Sequence, residues 1–338
     1  MASNKFISNI SISVPSNQKL SEIILHNKNN QPLHPEKQKR LHPLFALNRE
    51  YGINNDSPIK NDLNFLSKKI PVSFEKTSSD LGVNSLKKLL EITPASRPSY
   101  LTYCQETNEP SIYLTPALKL KKLLKLKSTI PFSIGYQGSA AFTGALSLLD
   151  NLHHNTDSNK YSIITTTDQV CMPQTRFFLS TYPKGDCSTS SIFSYDTGQY
   201  KVLNYCTHSF PIPGNPLEWN HSDYMDFETQ LLSCTYDLLT DWIAKHNIQW
   251  VIIQNLSERF VNNLENFFEG TPCTLFKRFI AKECNLLTSD CLVSLKDAEA
   301  KQVFNINDNI LLLQAGPLSH IGLVLLKKEK DDDFVYLK

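Results

Sequence analysis

Glycine is scarce in this chain: 11 of 338 residues, about half the usual share of roughly 7%. Few positions can take a positive φ freely, so each remaining glycine is informative. No apolar run approaches the roughly 20 residues that span a bilayer. Residues 1–12 are polar and mixed, with no apolar stretch ahead of a small-residue cleavage site. Neither a membrane segment nor a signal peptide is expected. No charge of one sign dominates: 34 Lys and Arg stand against 33 Asp and Glu, a formal net charge of +1. That balance gives no electrostatic case for nucleic acid or for a membrane surface.

Paired cysteine motifs are missing as well. The eight cysteines, Cys104, Cys171, Cys187, Cys206, Cys234, Cys273, Cys284 and Cys291, include no C-x-x-C pair and no zinc-like spacing with histidine. Reduced thiols in a cytoplasmic protein are the expectation. The chain lacks G-x-G-x-x-G, the phosphate-binding G-x-x-x-x-G-K, H-E-x-x-H and the G-x-S-x-G elbow. His153-His154 form a loop with Asp150 and Asp157 nearby, and no metal is expected there.

What is present is a globular composition, 41% hydrophobic and 20% charged. Residues 5–14 (KFISNISISV) alternate as a half-buried strand does. Residues 15–75 are polar and proline-punctuated, with a basic stretch from Glu36 to Arg40, and are expected to form long loops with short helices. Thr77 to Asp80 supply caps for a leucine-periodic helix, and Ser99 to Cys104 reads as a strand. PALKLKKLLKLK (116–127) predicts a basic amphipathic helix with proline at its start. Ser139 to Leu152 predicts a small-residue helix, and Tyr161 to Asp168 a buried β-branched strand. Ser190–Tyr195 and Lys201–Tyr205 predict a pair of strands joined by a turn at Asp196-Thr197-Gly198. Helices are expected over 227–246, 257–268 and 290–301, and strands over 250–254, 309–314 and 321–327. Helix and strand alternate twice, which argues for α/β layers.

The stretch IGYQGSAAFTGAL (134–146) resembles the nucleophile segment of 3-oxoacyl-ACP synthase III-like condensing enzymes. There a loop such as Q-G-C-A-A carries a cysteine at the start of a buried central helix. Backbone N–H groups and the helix dipole at that place stabilise a thiolate and the oxyanion that follows acyl attack. Further matches follow in order. Thr77 to Leu86 resembles S-x-x-D-L, and Gly185-Asp186-Cys187-Ser188 resembles G-D-G-A. VIIQNLSER (251–259) resembles V-I-P-H-Q-A-N-x-R, CNLLTSDCLVSL (284–295) the asparagine segment, and LLLQAGPLSHIGLVLL (311–326) the closing hairpin. The resemblance covers nearly all of the chain after residue 70. It implies a five-layer αβαβα thiolase-type fold built from two similar halves, 1–205 and 206–338. It also implies acyl-CoA or acyl-ACP as substrate, with no bound cofactor and no metal.

Carried over residue by residue, the family's cysteine, histidine and asparagine become Ser139, Gln254 and Asn285. Cys284 and Leu318 stand where the family has glycine. A serine needs a general base within hydrogen-bond reach, and glutamine cannot take a proton usefully. His208, His221 and His320 are the candidate replacements. Three functions remain open at this stage. One is a non-catalytic subunit forming a heterodimer with an active ketosynthase III-like paralogue in bacterial acyl-chain or secondary-metabolite biosynthesis. The second is an acyltransferase that uses Ser139, as a homodimer. The third is an acyl-CoA or acyl-ACP binding protein whose basic helix, Lys119 to Lys127, docks the acyl carrier protein.

Overall fold

The structure, a computed structural model, describes residues 4–29, 67–74, 76–93, 97–107, 115–153, 161–171, 176, 181–212, 214, 219–316 and 320–331. The basic stretch Glu36–Arg40, His154, Asp157 and Leu318 lie outside the described residues. In chain order the elements are β1 (Lys5–Ser13), β2 (Asn17–Lys19), α1 (Leu20–Asn29), β3 (Lys69–Pro71), α2 (Ser78–Glu91), β4 (Tyr100–Cys104), α3 (Pro116–Leu123), β5 (Ile130–Ile134), α4 (Ala141–His153), β6 (Ser162–Asp168), β7 (Cys187–Ser194), β8 (Tyr200–Ser209), α5 (His221–Lys245), β9 (Trp250–Ile253), α6 (Glu258–Glu269), β10 (Thr274–Phe276), α7 (Asp290–Ala300), β11 (Asn309–Ala315) and β12 (His320–Lys328).

Ten strands pair in the order β10-β9-β11-β12-β8-β1-β7-β6-β4-β5. Outward from the β8–β1 seam the two sides match. The run β1, β7, β6, β4, β5 has two antiparallel pairings and then two parallel ones, and so does β8, β12, β11, β9, β10. Tyr205 lies inside β8, the first strand of the second set.

Alternation along these strands builds the layers. On β11, Ile310 and Leu312 face the central helices α4 and α7, while Leu311 and Leu313 face α5 and α6. On β6, Ile164 faces the centre, and Ile163 faces the side covered by α2 and α3. A strand buried on both faces needs apolar residues at consecutive positions, which is why these strands read as continuous runs. The result is an αβαβα stack with α4 and α7 in its middle layer. Each large apolar side chain buried there contributes about 1.5–3 kcal/mol. Helix α7 is buried along nearly all its length, so its charges are paired: Asp290 with Arg278 at 2.8 Å, and Lys296 with Glu299 at 2.9 Å.

Local signals account for most element ends. Thr77 and Asp80 form a reciprocal capping box on α2, and Ser257 caps α6. α3 starts at its proline but stops at Leu123, short of the expected Lys127, and Lys125 has turned to φ +54°. β7 and β8 are not the expected hairpin, because β1 lies between them and pairs with both. Gly198 lets the connection cross β1: a Cβ there would sit 2.4 Å from Phe6 Cβ. His153 is not in a loop. It ends α4, shares a 2.6 Å hydrogen bond with Ser162 and packs between Tyr100 and Tyr195. Among the described residues no helix is long and apolar enough to cross a membrane.

Candidate active site

The C-terminal ends of the parallel strands and the starts of the two central helices converge, the usual place for a site in an α/β sheet. Each central helix is preceded by a short 3-10 turn, Gly138–Ala140 before α4 and Leu287–Ser289 before α7, and the two turns pack together. Each opens on a left-handed residue, Gly138 at φ +52° and Leu287 at φ +54°. Small residues allow the close packing. A Cβ on Gly322 would meet Thr143 Oγ1 at 2.6 Å and Ala140 Cβ at 3.1 Å, so β12 approaches the start of α4 at backbone distance.

Ser139 is wholly buried on the first turn, and its Oγ donates to Glu106 Oε2 at 2.7 Å. Glu106 follows β4 and was not among the residues that the sequence singled out. Its other carboxyl oxygen, Oε1, is 3.6 Å from Lys184 Nζ. The Glu106 backbone is held from β6: Asp168 Oδ1 accepts from the N–H groups of Glu106 (2.8 Å) and Thr107 (2.7 Å) and from Thr107 Oγ1 (2.9 Å). Asp168 Oδ2 accepts from the Thr288 N–H and hydroxyl, so this carboxyl ties the Glu106 loop to the second turn. Burial, and then the charge of Glu106, push the Asp168 carboxyl up to about 7, against hydrogen bonds from Thr107 and Thr288. Gly316, just past β11, closes the other side: a Cβ there would lie 3.1 Å from Ser139 Oγ and 3.3 Å from Glu106 Oε2.

Gln254 and Asn285 are neighbours. Gln254 Nε2 donates to Asn285 Oδ1 at 2.7 Å and to the Leu287 carbonyl at 3.0 Å. Asn285 is clamped against the segment that carries Lys184, giving its N–H to Pro183 O and accepting from the Gly185 N–H at 2.9 Å each. Cys284 fits because Gly185 makes room: a Cβ on Gly185 would meet Cys284 Sγ at 2.6 Å. Burial holds its thiol up at about 12.

The hydrogen bond of Ser139 Oγ goes to Glu106 and not to one of the three candidate histidines. His208 is exposed on β8, His221 is exposed at the start of α5, and His320 is half-buried at the start of β12. The acceptor at Ser139 is a carboxylate. One signal available in the sequence was position: Glu106, Asp168, Gln254 and Gly316 all sit at or just past the C-terminal ends of parallel strands β4, β6, β9 and β11.

This architecture is the thiolase-type fold of 3-oxoacyl-ACP synthase III. ChlB3, described as an acyltransferase, matches with a TM-score of 0.71 at 14% identity, covering 97% of this chain and 98% of that one. The 3-oxoacyl-ACP synthase III of Pseudomonas aeruginosa matches at 0.66 and 11%, covering 97% and 99%. An OleA variant from Xanthomonas campestris with bound lauric acid and lauroyl-CoA matches at 0.66 and 12%, covering 97% and 100%. No family model and no curated protein matches the sequence.

Proposed function

We propose that this chain is an acyltransferase that carries its acyl group as an ester on Ser139, with Glu106 as general base. The observation that carries the reading is the buried 2.7 Å hydrogen bond from Ser139 Oγ to Glu106 Oε2. A serine hydroxyl becomes a competent nucleophile when a base is already in contact with its proton. The reaction starts as that proton passes to Glu106 and Oγ attacks the carbonyl carbon of an acyl thioester. The oxyanion forms at the start of α4, where the positive end of the helix dipole favours it. The C–S bond then breaks, and the thiol of coenzyme A or of a carrier's phosphopantetheine leaves with the proton from Glu106. In the second half an alcohol or amine gives its proton to Glu106 and attacks the ester, and Ser139 recovers its proton as the C–O bond breaks. Gln254 can neither take a proton nor become a cation, which disfavours decarboxylative condensation.

The donor class is supported by the neighbours: lauroyl-CoA is bound by the OleA variant, and ChlB3 is described as an acyltransferase. Docking of an acyl carrier protein is supported by exposed Lys122, Lys125 and Lys127 at the end of α3. A dimer, with a second copy or with a ketosynthase III-like paralogue, is supported by β5. It is a sheet-edge strand that presents half its backbone groups and the 52%-exposed Ile130. Bacterial acyl-chain or secondary-metabolite biosynthesis in the cytoplasm is the setting of this reading.

Intact mass after exposure to a panel of acyl-CoAs is the test. An adduct on wild type that Ser139→Ala removes supports the proposal. No adduct at any chain length, with one on a co-purifying cysteine-containing paralogue, would return the chain to the role of non-catalytic subunit.

A further inference from the structure

We infer that Gln254 is a positioning residue that fixes the side-chain amide of Asn285, so that Asn285 Nδ2 is the donor offered to the acyl carbonyl oxygen while Gln254 touches no substrate. The geometry is independent of the acyl-transfer reading; its catalytic consequence rests on that reading.

Two backbone groups of one residue decide both amide orientations. The Leu287 N–H lies 2.9 Å from the Asn285 side chain and can only donate, so the atom it meets is Oδ1. The Leu287 carbonyl lies 3.0 Å from the Gln254 side chain and can only accept, so the atom it meets is Nε2. The 2.7 Å bond from Gln254 Nε2 to Asn285 Oδ1 agrees with both. Leu287 holds this geometry at φ +54°, which a branched residue adopts only when its surroundings enforce it.

The donor inventory then closes. Both hydrogens of Gln254 Nε2 are used, and both acceptor sites of Asn285 Oδ1 are filled. Among the described residues Asn285 Nδ2 has no partner, in a residue with 0% exposure. Asn285 leads into the Leu287–Ser289 turn, which packs on the Ser139 turn, and a buried donor left open there is a place for an oxygen that arrives with substrate. The glutamine has no hydrogen to spare for that oxygen, so Gln254 acts through Asn285.

Four full-length proteins test this: wild type, Gln254→Glu, Asn285→Ala and the double variant. Acylation rates come from intact mass, and thermal melting checks the fold. A carboxylate at 254 accepts and cannot donate, so Asn285 has to turn its NH2 toward it. Gln254→Glu and Asn285→Ala should each slow acylation by about 10²-fold. The double variant should be no slower than Asn285→Ala alone, because one residue acts through the other. A double variant slowed by the product of the two single effects overturns the inference and makes Gln254 a substrate contact. If wild type takes no acyl group, the acyl-transfer reading fails and the orientation is read by NMR of isotope-labelled protein. Asn285 amide protons that move downfield in Gln254→Glu support the positioning role, and unmoved signals overturn it.

Discussion

Ser139 and Glu106 meet across 33 residues of chain in a buried 2.7 Å hydrogen bond. One comes from the start of the central helix α4 and the other from the end of strand β4. If Glu106 takes the serine proton, Glu106→Gln keeps the shape and the acceptor oxygen but loses the base. Acylation should fall by about 10²–10⁴-fold, with melting little changed. Time-resolved intact mass measures the rate, and an unchanged rate would dismiss Glu106 as base.

Asp168 gives a pH prediction. Its carboxyl is raised to about 7 in the folded chain, first by burial and then by the charge of Glu106. The folded state therefore binds a proton that the unfolded chain releases. That contribution to stability is complete below the ordinary carboxylate range and is lost as pH rises through about 7. Urea unfolding should show stability falling across that window in wild type, and much less in Asp168→Asn. The asparagine should also cost about 1–3 kcal/mol, because its NH2 must face the donors of Thr288 or of Glu106 and Thr107. Parallel pH profiles in the two proteins would refute the assignment.

Gly316→Ala probes the fit around the nucleophile. The added methyl lies 3.1 Å from Ser139 Oγ and 3.3 Å from Glu106 Oε2, so both must yield by a few tenths of an ångström. Small displacements of reacting groups are costly. Acylation should drop about tenfold or more while the melting temperature stays close to wild type. The reverse outcome, normal acylation in a destabilised protein, would make Gly316 a packing residue only.

The proposed dimer would pair through the edge strand β5. Ile130→Asp adds a charge to the exposed edge without touching the site. Sedimentation should show the assembly of wild type falling to monomer. An assembly that survives the change would place the interface elsewhere.

Much of the site was legible because motif order carries it. Motif order singled out Ser139, Gln254 and Asn285, and the structure makes the last two neighbours. For Glu106 the sequence offered position alone, an acidic residue after the strand that ends at Cys104. Its role comes from the 33-residue separation that the fold closes. The central strands were legible because burial on both faces leaves unbroken apolar runs. The hairpin expected between β7 and β8 failed for a different reason: alternation reports which way side chains point and says nothing about which strand lies alongside. β10, at three residues, is too short to show any period.

The seam at β1 bears on how this chain is made. Residues 5–13 leave the ribosome long before their partners, since Ser11 pairs with Ser190, 179 residues later, and Lys5 with Val202. The strand at the seam must wait unpaired while the residues between it and β7 and β8 are made. Contacts this distant slow folding and leave an open edge for wrong pairings in the meantime. A substitution in β1 would therefore act on a long-range pairing made after most of the intervening chain.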